Sequence, residues 1–491
     1  MRPKICWSDL RGARVGVWGL GVEGTASLAR LLMMGVEPVL VDDHPPPHDV
    51  NGLPVFATAD SGLAALEHCD VVVKAPGISR YRPEVAELTA RGIPVAGGLG
   101  LWLQEADRQR VVCITGTKGK STTTAITGHL LRGLGYSCLT GGNIGRPPWD
   151  PELDGTAYDY WVIETSSYQA TDLACSPPVV AVTSLHPDHL DWHGGVENYY
   201  RDKLSACSQP GADLTIANGD SDLLHQHADL LGPRIRWVSA GEEPDTDWMA
   251  PLGLLGEHNR RNALIAQAIL AALGIPQAED EIALRAAAAG FEHLSHRLQP
   301  VGTISGVTFV DDSLSTNVLP TLAAMDAFPG RRVALIAGGH DRGIDYAPLA
   351  AGLAPRTAPT LVLTLPDSGP RIAAALAGSS RSAETNTGRR APMLPGSSQS
   401  AETNTAPPAP ALDLAGLEVR QCEDLDTAVR AGFDWARPDG IVLLSPAAPS
   451  FGVFRNYRER GEAFTRAMRD CAPPSAPAQQ PRPDLSSTPP L

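Results

Sequence analysis

Apolar residues in this chain fall in short continuous runs separated by helical patterns. "RVGVWGLGVEGTASLARLLMMG" is an apolar run, a glycine turn and then an amphipathic stretch, with "EPVLVDD" and "CDVVVKAPGIS" after it. Unbroken apolar runs of this length suit strands buried on both faces, and strands that alternate with helices predict parallel sheets covered by helices. A second block opens at Arg110 with "RVVCIT" and continues through "YDYWVIETSS", "PPVVAVTSL" and "ADLTIAN". Its last pattern, "GEHNRRNALIAQAILAALG", places Ala and Leu at core spacing and ends on a Gly stop. A third block starts near Gln299, where "GVTFVDDS", "RRVALIAGG", "APTLVLTL" and "GIVLLSPA" supply four more strand candidates. The expected fold class is α/β in three domains. These are a Rossmann-like N-terminal domain over residues 1–98, a central P-loop ATPase-type domain over 99–298, and a Rossmann-like C-terminal domain over 299–471.

Two segments fall outside this pattern. "GSSRSAETNT" recurs as "GSSQSAETNT", a polar unit with no apolar face, which predicts a disordered surface insertion over about 378–408. Residues 472–491 are Pro-rich and read as a disordered tail.

Composition narrows the function. A net charge of −15 disfavours nucleic-acid binding, which rests on Lys and Arg neutralising phosphates. The eight Cys are scattered without CxxC or zinc spacing, as expected of thiols in a reducing compartment. The N-terminus lacks an apolar signal core, and no stretch approaches membrane-spanning length. A soluble cytoplasmic protein with no membrane partner is expected.

The chemistry concentrates in "CITGTKGKSTTTAITG". Gly116 and Gly119 let backbone N–H groups close on phosphate oxygens, Lys120 reaches the β- and γ-phosphates, and Ser121 is placed for Mg²⁺. Only two residues separate Gly116 from Gly119, two fewer than in the usual phosphate loop. Glu164, at the end of "YDYWVIE", is positioned to hold Mg²⁺ beside a triphosphate. His186, His189 and His193 share a segment with Asp188, Asp191 and Lys203, but the Pro and Gly-Gly within it deny them one helix face, so a zinc-protease motif is not supported. Gly19, Gly21 and Gly24 form a GxGxxG with Asp42 at the end of the next strand, a pattern open to either dinucleotide binding or a tight turn.

The ordered set "TGTKGKST", "ETSSYQ", "HPDHLDWHGGVENYYRDK", "EHNRRNALIA", "HRLQPV", "DDSLSTN" and "SPAAPSFGVFRNYRERGEAF" resembles the Mur ligases over nearly the whole chain. The short phosphate loop then resembles a family variant. The resemblance implies a UDP-substrate domain, an ATP domain and an amino-acid domain, in that order. It implies ATP-dependent addition of D-glutamate to UDP-N-acetylmuramoyl-L-alanine through an acyl phosphate, by a monomer in peptidoglycan precursor synthesis. The alternatives are a ligase for L-glutamate or another amino acid, and a non-catalytic nucleotide-binding module.

By resemblance, Gly19, Leu20, Gly21, Asp42, Asp43 and Asn143 hold the UDP substrate. ATP falls to Gly116, Thr117, Lys118, Gly119, Lys120, Ser121 and Thr122, with Asn259 and Asn262 near adenine and His296, Arg297 and Asp312 on the strip between the second and third domains. Lys120, Glu164, His189 and Lys203 are the implied catalytic set. Ser121, Glu164, His189 and Lys203 serve two Mg²⁺ ions, with Lys203 carried as a carbamate. An unmodified Lys is a cation and would repel Mg²⁺, whereas a carbamate offers anionic oxygen. Thr316, Arg342, Ser450 and Tyr457 match the glutamate contacts. Two positions depart from the family pattern: Leu314 stands where Lys is usual, and Arg342 where many relatives carry Lys.

Overall fold

The computed structural model describes residues 2–241, 247–384 and 417–472. The chain divides into two compact units, Met1–Glu292 and His293–Leu491.

The first unit holds two parallel sheets. One comprises β1 (Val15–Trp18), β2 (Val39–Asp42), β3 (Val55–Ala57), β4 (Val71–Lys74) and β5 (Val95–Gly97), in the order β3-β2-β1-β4-β5. The strand order reverses between β1 and β4, and such a switch point opens a crevice at the carboxyl ends of the two strands. The glycine turn follows β1 there. Gly19 has φ +91°, and a Cβ on Gly24 would lie 1.8 Å from the Gly19 carbonyl oxygen, so only glycine lets the helix Val22–Met33 start so close to the strand.

The second sheet comprises β6 (Val111–Thr115), β7 (Cys138–Gly142), β8 (Tyr160–Glu164), β9 (Val179–Val182), β10 (Leu214–Asn218) and β11 (Ile235–Val238), in the order β11-β10-β9-β6-β8-β7. β6 and β9 are buried throughout, as their apolar runs require, and the helices Lys120–Gly133 and Glu257–Ala272 cover this sheet through Ile126, Leu130, Ile265 and Ile269. One apolar cluster runs from the first sheet into the second through Trp7, Trp102, Trp149 and Trp161. The Trp149 indole N–H also donates to Ser27 Oγ at 3.2 Å, so the two layers share a core.

The second unit holds one mixed sheet: β12 (Gln299–Ile304), β13 (Val307–Asp311), β14 (Val333–Ala337), β15 (Thr360–Thr364), β16 (Leu417–Gln421) and β17 (Ile441–Leu444), in the order β12-β13-β17-β14-β15-β16. Only β12 is antiparallel, in a hairpin with β13. The three central strands β13, β17 and β14 run parallel, which puts their following loops at one edge. The helix Gly369–Glu384 carries the chain into the start of the first polar repeat, and the rest of the expected insertion and nearly all of the expected tail lie outside the described residues.

Candidate active site

The phosphate loop joins β6 to the helix Lys120–Gly133. Gly116 (φ +135°) and Gly119 (φ +88°) occupy backbone regions that side chains rarely adopt. A Cβ on Gly116 would meet Thr183 Oγ1 at 2.3 Å, and one on Gly119 would meet Asn262 Oδ1 at 2.7 Å. The spacing of two residues therefore builds a tight, fully packed loop at a helix N-terminus, where N–H groups and the helix dipole favour an anion. Thr117 is fixed by Tyr199, their hydroxyls 2.8 Å apart, and the Lys118 N–H donates to Ser184 Oγ at 2.8 Å. Ser121 is buried at the first turn of the helix.

Two lysines converge on this loop. Lys120 Nζ donates to the Gly116 carbonyl at 2.9 Å, and Lys203 Nζ donates to the same oxygen at 3.0 Å. Lys203 comes from the helix Val196–Leu204 and is 3% exposed. Burial, and then the nearby Lys120 charge, holds its amine well below the ordinary lysine range.

Glu164 closes β8 beside the loop and is 1% exposed. Its Oε1 accepts from Asn143 Nδ2 at 2.7 Å, while its Oε2 is buried without a hydrogen-bond partner. A buried carboxylate oxygen left bare is costly, so this atom fits a cation that arrives with the ligand. Among the described residues, no group of three or more His, Cys, Asp or Glu side chains could hold a metal ion unaided.

His189 sits at φ +52° just ahead of a short helical turn, exposed and tilted against the Tyr168 ring at 5.2 Å, with its pKa lowered mainly by desolvation. His193, by contrast, is fully buried. Its Nδ1 lies 2.7 Å from Asp202 Oδ2 and its Nε2 3.0 Å from Ser167 Oγ, so both ring nitrogens are engaged. Asn259 and Asn262 lie on one face of the helix Glu257–Ala272, with Asn262 Nδ2 donating to Asn259 Oδ1 at 3.2 Å. Asn259 lines a cavity of mixed polar and apolar character with Met249, Leu252, Leu254 and Arg260.

At the first sheet's switch point, the Asp42 carboxylate accepts from the Leu20 N–H at 2.7 Å and the His44 N–H at 2.8 Å. It thus braces the glycine turn. Asp43 pairs with Arg82 at 2.6 Å, and Arg82 lies over the Trp18 ring. No local pattern marked three ionisable side chains that lie here, of which Lys74 and Asp172 are buried and Glu23 is half-buried. Lys74 pairs with Asp172 at 2.5 Å, and Glu23 accepts from Gln169 Nε2 at 2.6 Å. Burial pushes the Glu23 carboxyl up to about 8.

In the second unit, Thr316, Arg342, Ser450 and Tyr457 lie on the segments that follow β13, β14 and β17, or at the helix start just beyond them. Arg460 gathers two of these loops. It is 1% exposed, and its guanidinium donates to the Ser313 carbonyl at 2.8 Å and the Ala448 carbonyl at 3.1 Å. The His340 N–H donates to the Pro449 carbonyl at 2.9 Å and brings in the third loop. Arg342 is exposed, has no ion pair among the described residues, and sits over the Phe451 ring at 5.4 Å. Asp312 is buried and receives the Leu298 N–H at 3.0 Å and the Ser445 hydroxyl at 2.7 Å, with burial raising its pKa to about 6. Its side chain therefore braces the junction between β12, β13 and β17. His296 Nδ1 lies 2.8 Å from Asp311 Oδ2.

These features define a nucleotide-phosphate-binding α/β protein with an ordered carboxylate and a buried amine at the loop. Comparison with known proteins gives the family. The Mur ligase middle domain matches residues 114–251, and the Mur ligase MurD-like N-terminal domain matches residues 13–97. A Micromonospora protein named UDP-N-acetylmuramoyl-L-alanine--L-glutamate ligase is 40% identical, across 95% of this chain and 98% of its own. One of the same name from Xanthomonas axonopodis pv. citri is 36% identical, across 94% and 96%. Among solved structures, the UDP-N-acetylmuramate-alanine ligase MurC of Thermotoga maritima aligns with TM-score 0.51 at 17% identity, over 93% of this chain and 99% of that one. The MurF ligase of Thermotoga maritima in complex with ADP aligns with TM-score 0.51 at 15% identity, over 95% and 96%. The chain belongs to the Mur ligase family.

Proposed function

We propose that this protein is an ATP-dependent ligase that joins L-glutamate to the alanine carboxyl of UDP-N-acetylmuramoyl-L-alanine, in peptidoglycan precursor synthesis. The observation that carries the reading is the phosphate loop with Lys120 and Lys203 on one carbonyl and the bare Glu164 Oε2 beside them. The relatives' names supply the substrates. The family resemblance of the sequence implied D-glutamate with L-glutamate as the alternative; we favour L instead, because these relatives are named for L-glutamate. The departures at Leu314 and Arg342 agree with this choice. With the amine held at the reacting carbon, inverting Cα moves the two carboxylates, so a pocket for the other enantiomer needs its cations elsewhere.

The reaction activates a poor electrophile. The alanine carboxylate attacks the γ-phosphorus of ATP, the bond to ADP breaks, and an acyl phosphate forms. The glutamate amine then attacks the acyl carbon, an amide forms, and phosphate leaves with the bonding pair while the amine loses its protons to solvent. The phosphate loop positions the nucleotide, and Lys120 offsets charge on the transferring phosphoryl group. Ser121, Glu164, His189 and a carbamate on Lys203 would hold two Mg²⁺ ions. When bound, these ions neutralise the crowded phosphate and carboxylate oxygens. The depressed Lys203 amine suits carbamate formation, since the neutral amine is the form that adds CO₂.

Gly19, Leu20, Gly21 and Asn143 bind the UDP substrate in this reading, with Asp42 and Asp43 shaping the crevice. Thr316, Arg342, Ser450 and Tyr457 bind glutamate. In this reading the reaction takes place in the cytoplasm, where ATP and UDP-linked sugars are supplied. The test is phosphate release that requires ATP, UDP-N-acetylmuramoyl-L-alanine and glutamate together, and that Lys120→Ala abolishes while the protein stays folded. Release without the UDP substrate, or undiminished release by the variant, contradicts the proposal.

A further inference from the structure

The helix that carries Lys203 is tied to the first sheet through one oxygen atom. Asp202 Oδ2 accepts the Tyr81 hydroxyl at 2.9 Å and lies 2.7 Å from His193 Nδ1. A carboxylate oxygen accepts, so Asp202 Oδ2 takes hydrogen bonds from both the Tyr81 hydroxyl and His193 Nδ1, while His193 Nε2 lies 3.0 Å from Ser167 Oγ. Asp202 is 5% exposed, His193 0% and Ser167 3%. The three elements joined are distinct. Tyr81 belongs to the loop after β4, on the switch-point edge. Ser167 starts the turn that follows Glu164. Asp202 sits on the helix Val196–Leu204, one residue before Lys203. The same loop is pinned twice more, by Ser79 Oγ on the Trp192 carbonyl at 2.7 Å and by the Trp192 indole on the Gly77 carbonyl at 3.1 Å.

We propose that Asp202 is a positioning residue for Lys203, and that Tyr81 carries that setting across from the edge that receives the UDP substrate. Successive helical residues are 100° apart, so clamping Asp202 fixes the rotation of the helix and hence where the Lys203 amine points. A side chain that acts through its neighbour in this way loses activity when its donors lose their common acceptor, even though it touches no reactant. Because both donors meet one oxygen, the device requires an acceptor at that place and not a charge. An asparagine can supply the acceptor and an alanine cannot.

The inference rests on the ligase reading for its activity readout, and amide exchange tests it separately. Asp202→Ala should lower kcat by about 10- to 100-fold, the range for groups that orient metal-binding side chains, and leave KM for ATP within about twofold. Amide hydrogen exchange over residues 196–204 should rise at the same time. Asp202→Asn should restore at least half of the lost kcat and the protection, and Tyr81→Phe should fall between the parent and Asp202→Ala. If Asp202→Asn is as impaired as Asp202→Ala, or if Asp202→Ala matches the parent in kcat and exchange, the positioning role is overturned. A parent protein that releases no phosphate would overturn the ligase reading instead, and the exchange comparison would still decide the role of Asp202.

Discussion

Lys120 and Lys203 place their amines on the same atom, the Gly116 carbonyl oxygen, at 2.9 and 3.0 Å. Two ammonium groups so close repel each other, and one of them is enclosed in protein. The arrangement is tolerable when the enclosed amine gives up its proton, which is the direction in which Lys203 is shifted. An amine shifted in this direction beside a phosphate site is less suited to bind phosphate as a cation and better suited to be converted into an oxygen ligand.

Lys203→Met keeps the shape of the side chain and removes the amine. Turnover should fall by more than about 100-fold, beyond the usual loss for a group that only orients a metal ligand. Melting temperature should hold or rise, because the substitution relieves the burial of an ionisable group. Phosphate release and a thermal melt on one preparation check both halves. Residual activity near the parental level would remove Lys203 from the catalytic set.

Glu23 gives a pH-dependent signature. Its folded pKa, about 8, lies above the ordinary glutamate value of 4.5, so between these values the folded chain binds more protons than the unfolded one. Stability from this group is therefore complete below about pH 4.5 and declines as pH rises toward 8. Glu23→Gln removes the decline and keeps an acceptor for Gln169. The difference in melting temperature between variant and parent should be small at pH 5 and should favour the variant increasingly up to pH 9. Parallel curves across that range would place the carboxyl in solvent.

Arg342 is an exposed cation on the second unit's loop edge. Arg342→Ala should raise KM for glutamate about tenfold, as expected for the loss of a charge-assisted hydrogen bond of roughly 1.5–3 kcal/mol. KM for ATP should stay within about twofold, since the nucleotide loop lies in the first unit. Arg342→Lys should recover only part, because one ammonium replaces a two-pronged donor. An unchanged KM for glutamate in Arg342→Ala would leave the arginine as a surface group stacked on Phe451.

Much of the fold was legible because its strands are buried on both faces. The apolar runs at β1, β6, β9, β14 and β17 have no competing explanation, and the glycines at 19, 24, 116 and 119 mark turns that other residues would obstruct. The missed strands were those at edges or with mixed burial. β16 is mostly exposed, β12 alternates weakly in a hairpin, and β3 is only half-buried, so none carries a strong apolar signal. The phosphate loop stood out by its local spacing and Glu164 by its place at a strand end, whereas Lys203 was singled out only through the family resemblance. The Tyr81–Asp202 bond, the Lys74–Asp172 pair and the Glu23–Gln169 bond join residues that are far apart in sequence. No local pattern encodes such pairs, and only the packing of the first sheet on the second brings them together.

The most direct test of the account is a choice between enantiomers. The purified protein is given ATP, Mg²⁺ and UDP-N-acetylmuramoyl-L-alanine, with L-glutamate in one series and D-glutamate in the other. Phosphate release is followed, and the chirality of glutamate in the acid-hydrolysed product is determined. We predict a kcat/KM at least about tenfold higher for L-glutamate, a difference of roughly 1.4 kcal/mol in transition-state binding, with product containing L-glutamate. A preference for D-glutamate, or no phosphate release with either enantiomer, would contradict it.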